Sequence, residues 1–269
     1  MSNGIAPIGV FDSGLGGMSV AAAIHRRLPG EAIVYVADSG FAPYGEKTDA
    51  FIKTRSRTLA QWLIRRGAKA LVVACNTATT QAISLLRSEF AIPVIGVEPG
   101  IKPAVQSSAA KVVGVLATAA TLRSGRLQEL LSSHGRDCRF VCQAGHGLVE
   151  LIEQGTVAGA CVDALLDKYL APMAEAGVDT LVLGSTHYAF LMPSITRAFG
   201  DQFHLVETGS AIARRVEDRL TEHGLRADAS VANPALHLYS TASETRPLQR
   251  LAHALCLVGS EVASVSVDM

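Results

Sequence analysis

Four short β-branched stretches recur, in the same order, about 105 to 110 residues further along the chain. Ile8-Gly9-Val10-Phe11 is answered by Val113-Gly114-Val115-Leu116, and Val34-Tyr35-Val36 by Phe140-Val141-Cys142. The segment from Gly67 to Thr77 matches the segment from Gly177 to His187, and Val97-Glu98-Pro99-Gly100 resembles Val206-Glu207-Thr208-Gly209. Ordered self-similarity at a nearly constant offset points to a duplicated supersecondary unit. The competing explanation is that any two strand–helix segments look alike. The shared glycine, Leu-Val pair and polar strand end of the third match weigh against it.

The repeated stretches are apolar without polar alternation, which fits parallel strands covered on both faces. Strands are expected at Ile8–Phe11, Ile33–Ala37, Leu71–Ala74, Val94–Val97, Val112–Leu116, Phe140–Val141, Leu181–Leu183 and Leu205–Val206, all buried. Helices are expected at Met18–Leu28, Thr48–Arg66 and Thr77–Glu89. The fold class is therefore α/β, with two pseudo-symmetric parallel-sheet domains. Their bounds read as 1–97 plus 209–269 for the first and 98–208 for the second. Sites in such sheets lie beyond the carboxyl ends of the strands. Two facing copies would set Cys75-Asn76-Thr77 opposite Ser185-Thr186-His187 across one cleft, with Asp12, Ser13 and Thr118 nearby.

Charge and composition then exclude classes of function. Lys and Arg number 24 against 24 Asp and Glu, so the surplus of cations that phosphate backbones or anionic membranes require is missing. Aromatic residues are 5% of the chain, too few for a base-stacking surface. Met1 to Pro7 is short and polar, so no secretory leader is expected, and no apolar run is long enough to span a bilayer. A cytoplasmic protein without nucleic-acid or membrane partners is expected. Five cysteines at scattered spacing suggest neither a disulfide framework nor a zinc site. Cys138, Cys142, Cys161 and Cys256 read as buried, inert thiols.

The polar strand ends carry the chemistry. Asp12-Ser13-Gly14-Leu15-Gly16-Gly17 lacks both the Walker lysine and the dinucleotide glycine spacing. Its glycines read as a tight turn that leaves backbone N–H groups free for an anion such as a substrate carboxylate, with Asp12 also suited to a helix cap. Pro43-Tyr44-Gly45 lies in a loop able to offer N–H groups. Cys75 stands where a helix begins, which favours a lowered pKa and use as a proton acceptor. His187 follows a strand end and reads as the functional histidine, while His25, His134, His223 and His253 read as solvated. Glu153 reads as a solvated helix position or as a residue reaching the cleft mouth. A thiol facing a polar group across a cleft suits proton removal on one side of a stereocentre and return on the other.

These motifs resemble those of the cofactor-independent glutamate racemases. The resemblance is carried by Val10 to Gly17, Pro43-Tyr44-Gly45, Ala74-Cys75-Asn76-Thr77-Ala78, Gly96-Val97-Glu98-Pro99 and Leu183 to Tyr188. His237-Leu238-Tyr239-Ser240-Thr241 is similar to the family's last strand. The resemblance implies two-base interconversion of L- and D-glutamate, supplying D-glutamate for peptidoglycan, with no metal and no pyridoxal phosphate. It implies a homodimer. It assigns catalysis to Cys75 and the residue at 185, assisted by Asp12, His187 and Glu153. It assigns substrate binding to Asp12, Ser13, Pro43, Tyr44, Gly45, Asn76, Thr77, Thr118, Thr186 and His187. The chain departs from the family at Ser185, where the family has its second cysteine, and at Ala189, where it usually has proline. A serine hydroxyl is a poor base without an activating neighbour, so catalysis is expected to be impaired, with Cys75 still able to exchange the α-proton of D-glutamate. The alternatives are a single-cysteine relative with decarboxylase-like chemistry and a glutamate-binding protein without turnover.

Overall fold

A computed structural model describes residues 6–134, 137–227, 234–257 and 259–268. The chain runs β1 (Ile8–Asp12), α1 (Met18–Arg27), β2 (Ile33–Ala37), α2 (Asp49–Arg65), β3 (Ala70–Val73), α3 (Asn76–Glu89), β4 (Val94–Gly96), α4 (Ile101–Ser107) and β5 (Val112–Ala117). It continues with α5 (Ala119–Arg123), α6 (Gly125–His134), β6 (Arg139–Ala144), α7 (Leu148–Glu153), α8 (Ala160–Glu175), β7 (Thr180–Gly184), α9 (Met192–Phe199) and β8 (His204–Val206). It ends with α10 (Gly209–Glu222), β9 (Leu236–Ser240), α11 (Arg246–Ala254) and β10 (Glu261–Ser264).

The strands form two wholly parallel sheets, as the apolar runs require. One has the order β10-β9-β2-β1-β3-β4 and the other β6-β5-β7-β8. The sequence repeat is visible here, because β2-β1-β3-β4 and β6-β5-β7-β8 are the same order in the two copies. Period-two alternation sends successive side chains to opposite faces. Ile8, Val10 and Val72 join the core under α1 and α10, while Phe11, Leu71 and Val73 join the core under α2 and α3. The second sheet is likewise covered on both faces. Each enclosed Ile, Leu or Val contributes about 1.5–3 kcal/mol relative to exposure, and the central strands β1, β2, β3 and β7 are buried along their whole length.

The structure departs from expectation at the edges. β6 is not a buried strand: Arg139 and Cys142 on it are exposed and its other residues half-buried. β8 is buried only at Val206. Both lie at the rim of the second sheet, where one flank has no neighbour. β9 is not the last strand, since β10 adds parallel to it. Cys161 and Cys256 are exposed and Cys138 half-buried, so the burial expected of these thiols is not found. His25 is half-buried, and burial lowers its pKa. Among the described residues no helix is long and apolar enough to cross a membrane.

Candidate active site

The carboxyl ends of both sheets converge on one small enclosed cavity. It is lined from the first sheet by Ser13, Pro43, Tyr44, Gly45, Cys75, Asn76 and Thr77, and from the second by Thr118, Val149, Ser185, Thr186 and His187. Every site residue expected from sequence lies on this wall except Asp12 and Glu153. Asp12 stands one layer back, fully buried, and Glu153 lines the neighbouring outer pocket of about 350 Å³. The volume of the enclosed cavity is about 20 Å³, enough for a water, which needs roughly 10–15 Å³, and too small for an amino acid. Pro43 and Val149 also line two outer pockets of about 350 and 240 Å³. Val149 had no signal in the sequence beyond its place on an apolar helix face.

Cys75 caps the N-terminus of α3. Its sulfur accepts from the Ala78 amide at 3.4 Å and donates to Ser13 Oγ at 3.4 Å. The helix-start amide does favour the thiolate, but burial and the Asp12 carboxylate oppose it more strongly. The thiol is pushed up to about 12. The lowered pKa expected from its position is thus reversed in this closed site, because desolvation disfavours the charged form. Asn76 donates to the Val97 carbonyl at 3.4 Å, yet its Oδ1 is a buried acceptor with no partner among the described residues. Such an acceptor costs about 1–3 kcal/mol and suits a ligand's ammonium. Thr77 and Thr118 meet across the two sheets at 3.1 Å.

Asp12 is fully buried. Its carboxylate accepts from the amides of Ser13 at 2.7 Å and Gly17 at 2.5 Å. Burial raises its pKa against the pull of His187 and the Gly17 amide. Thr186 Oγ1 donates to it at 3.4 Å. One further amide of the glycine-rich loop is already taken by a carboxylate of the chain itself. Leu15 N–H donates to Glu153 Oε1 at 2.5 Å, and the Gly16 amide lies 3.2 Å from His187 Nε2. The glycines also serve close approach: a Cβ on Gly14 would lie 2.0 Å from Glu153, and one on Gly16 would lie 2.2 Å from the His187 ring. Side chains of the second sheet's unit pack into the notches these glycines leave.

Glu153 is therefore not a solvated helix position. Its Oε1 sits 2.6 Å from His187 Nε2, and its Oε2 accepts from Ser39 Oγ at 2.9 Å. Burial opposes a charged His187, but the Glu153 hydrogen bond and charge, helped by Asp12, leave its pKa raised. Its Nε2–H thus donates to Glu153, with the Gly16 amide only adjacent. Ser185, which occupies the position in the second copy that Cys75 holds in the first, makes no side-chain cap bond to the turn it begins. Cys75 and Ser185 share an extended backbone (φ −129°, ψ 120° and φ −138°, ψ 138°). The two copies present a thiol and a hydroxyl in equivalent stances to one cavity.

Behind the first copy's wall lies a network that sequence reasoning missed. Arg55, in the middle of α2, binds both oxygens of Asp38 at 2.7 and 2.9 Å, and Tyr44 donates to Asp38 Oδ2 at 2.6 Å. An arginine on the inner face of an otherwise amphipathic helix is the only signal that could have found it.

Paired strand-end clusters carrying a thiol, a hydroxyl and an Asp–His–Glu group define an α/β protein built for acid–base work on a small polar molecule. The Asp/Glu/hydantoin racemase model matches residues 8–229. Glutamate racemase of Cupriavidus pinatubonensis is 52% identical over 263 residues, covering 98% of this chain and 96% of the relative. The Escherichia coli glutamate racemase, solved with L-glutamate and the activator UDP-MurNAc-Ala, superposes with a TM-score of 0.85 at 33% identity over 98% of this chain and 99% of that one. The Francisella tularensis glutamate racemase, solved with D-glutamate, gives 0.83 at 28% identity over 97% and 98%. The chain belongs to the Asp/Glu/hydantoin racemase family.

Proposed function

We propose that this protein is a glutamate racemase that works by proton transfer at Cα, and that Ser185 limits it. The observation that carries the reading is the delivery of Cys75 and Ser185, from equivalent strand ends of the two sheets, into one cavity. The residues of that cavity bind the substrate. Asn76 Oδ1 takes the ammonium, while Ser13, Tyr44, Gly45, Thr77, Thr118 and Thr186 hold the carboxylates. Asp12 orients the glycine-rich loop, and the His187–Glu153 pair steadies the second wall. The parts of the chain that carry these residues act as two units, 1–97 with 209–269 and 98–208, that separate to admit glutamate.

On the Cys75 side, with the sulfur ionised, the Cα–H bond breaks, its proton goes to the thiolate and its electron pair stays on the substrate. Return of a proton from the other side requires a donor at 185. A hydroxyl with no cap bond, beside a histidine already engaged with Glu153, delivers it poorly. The relatives' names support glutamate as substrate, and supply of D-glutamate for peptidoglycan in the cytoplasm, by a homodimer, follows from the same likeness. A glutamate-binding protein without turnover is the second reading, favoured by Ser185 alone.

The test is Cα–H exchange in D₂O followed by NMR, begun separately from D- and L-glutamate. Exchange from D-glutamate that outpaces formation of L-glutamate is expected. Equal exchange and crossover from both enantiomers overturns the impairment. No exchange with binding retained overturns the racemase reading.

A further inference from the structure

Arg55 is the largest side chain fully enclosed among the described residues, and proton transfer does not use it. Its fork is bidentate on Asp38, its Nη1 donates to the carbonyl of Val267, and its guanidinium stacks 4.2 Å over the Phe41 ring. Val267 belongs to the segment that follows β10. That segment is tied to the sheet by the Val265 amide, which donates to the Ser240 carbonyl at 2.8 Å. The Val267 side chain is 5% exposed and packs in the same apolar cluster as Tyr44 and Cys75. Asp38 in turn holds the Tyr44 hydroxyl, and its own amide donates to the Asp12 carbonyl at 2.9 Å. One guanidinium thus connects the chain's last described segment to both Tyr44 and the end of β1.

A buried ion pair is weak evidence for stability, since apolar residues of similar volume usually serve as well. Its best-attested use is to fix one arrangement among several. A planar fork with both carboxylate oxygens in its grip sets direction as well as distance, which a lysine does not. We propose that Arg55 is a positioning residue: together with the Val267 carbonyl it clamps Asp38 and so holds Tyr44 and the Pro43-Tyr44-Gly45 loop over the inner cavity. The segment after β10 is then part of the substrate site's support, although it lies far from the cavity in sequence. The clamp concerns the loop itself. Its consequence for glutamate rests on the function proposed above.

The experiment uses the full chain, Arg55→Lys, a chain ending at Ser266, the two changes combined, and Val216→Ala as a control in the core on the sheet's opposite face. Two quantities are read: the rate at which iodoacetamide modifies Cys75, by peptide mass, and the Kd of D-glutamate, by calorimetry. Losing a hydrogen bond to a charged group is expected to speed Cys75 modification and weaken D-glutamate roughly ten- to hundredfold. The combined variant should be no worse than either single one, because both act through one guanidinium. Val216→Ala should leave both quantities as in the full chain. Folded variants with unchanged Cys75 rate and Kd overturn the proposal, as does an equal effect of Val216→Ala. If Arg55→Lys gives no folded protein, the chain ending at Ser266 decides by the same readouts. If the unaltered chain binds no D-glutamate while the variants still expose Cys75, the clamp stands and the glutamate reading falls.

Discussion

Replacing Ser185 with cysteine should convert a one-sided site into a two-sided one. Ser185 is 6% exposed, lines the inner cavity and shares the extended backbone of Cys75. A sulfur at 185 therefore takes the stance that the sulfur at 75 already takes, without rebuilding the turn. The hydroxyl it replaces has no cap bond, and the Nε2–H of neighbouring His187 is held by Glu153 at 2.6 Å. A positioned acid–base group typically contributes about 10²–10⁴ in rate, which is about 3–5 kcal/mol of barrier. Ser185→Cys is thus expected to raise kcat/KM for racemisation by about 10²–10⁴ in both directions. Exchange from D-glutamate, which Cys75 starts, should change far less. Optical rotation or chiral chromatography reads the first and loss of the Cα–H NMR signal in D₂O the second. Cys75→Ser is the companion variant and should abolish exchange from D-glutamate. The reasoning is refuted if Ser185→Cys leaves racemisation where it was while the protein remains folded.

Three further outcomes follow from the same geometry. In the ligand-free protein, Cys75 alkylation should keep rising with pH and show no plateau below about pH 10, because burial and Asp12 push the thiol up to about 12; a plateau near neutrality contradicts this. His187 has a raised pKa in the folded chain, so its charged form contributes stability that is fully present below the unfolded value of about 6.5 and is lost as pH rises through the raised one. The Tm deficit of His187→Asn should accordingly be largest at acid pH and shrink as pH rises, and a deficit that grows with pH contradicts the raised value. Gly16→Ala would place a Cβ 2.2 Å from His187 Nδ1. It should cost about 1–3 kcal/mol of stability by denaturant titration and displace the ring, so a fully active, fully stable variant counts against the notch.

The repeat made much of the architecture legible, because a parallel strand covered on both faces has an apolar middle, and β1, β3, β5 and β7 do, with polar residues only at the ends of β1 (Asp12) and β7 (Thr180). β6 was misjudged because an edge strand carries the same β-branched pattern while exposing one flank, which only the sheet order reveals. At the site, strand-end position was enough to find Cys75, Asn76, Thr77, Thr118, Ser185 and His187. Glu153 was ambiguous because its partner lies 34 positions away and the loop that receives it 138 away. Arg55 and Val267 are 212 positions apart and gave no local sign at all. The glycine loop was located correctly, and the notches that receive Glu153 and His187 are a second purpose its composition did not show. Composition shows that a side chain is missing, not whether an anion or a neighbouring residue fills the space.

The closed cavity and the raised thiol are two aspects of one state. A space of about 20 Å³ holds a water but no substrate, and the exclusion of solvent that leaves it so small is also what pushes Cys75 up. A thiol in that state is a poor base, so ionisation has to accompany binding. In the proposed site glutamate brings the means: its α-ammonium, placed by that proposal at Asn76 beside Cys75, is a positive charge that favours the thiolate. Pro43 and Val149 are the two residues shared by the inner cavity and both outer pockets, so the proposed separation of the two units would admit substrate past them and reclose over the ammonium. The base is thereby formed only when there is a proton for it to take. An empty site holds a neutral thiol that is slow to react with electrophiles. On this argument D-glutamate should act in two opposed ways on Cys75: it lowers the thiol's pKa and it shields the sulfur. Alkylation measured across pH with and without D-glutamate separates them. The pH profile should shift to lower values while the limiting rate falls, and a ligand that lowers the rate without shifting the profile would show that binding does not ionise the thiol.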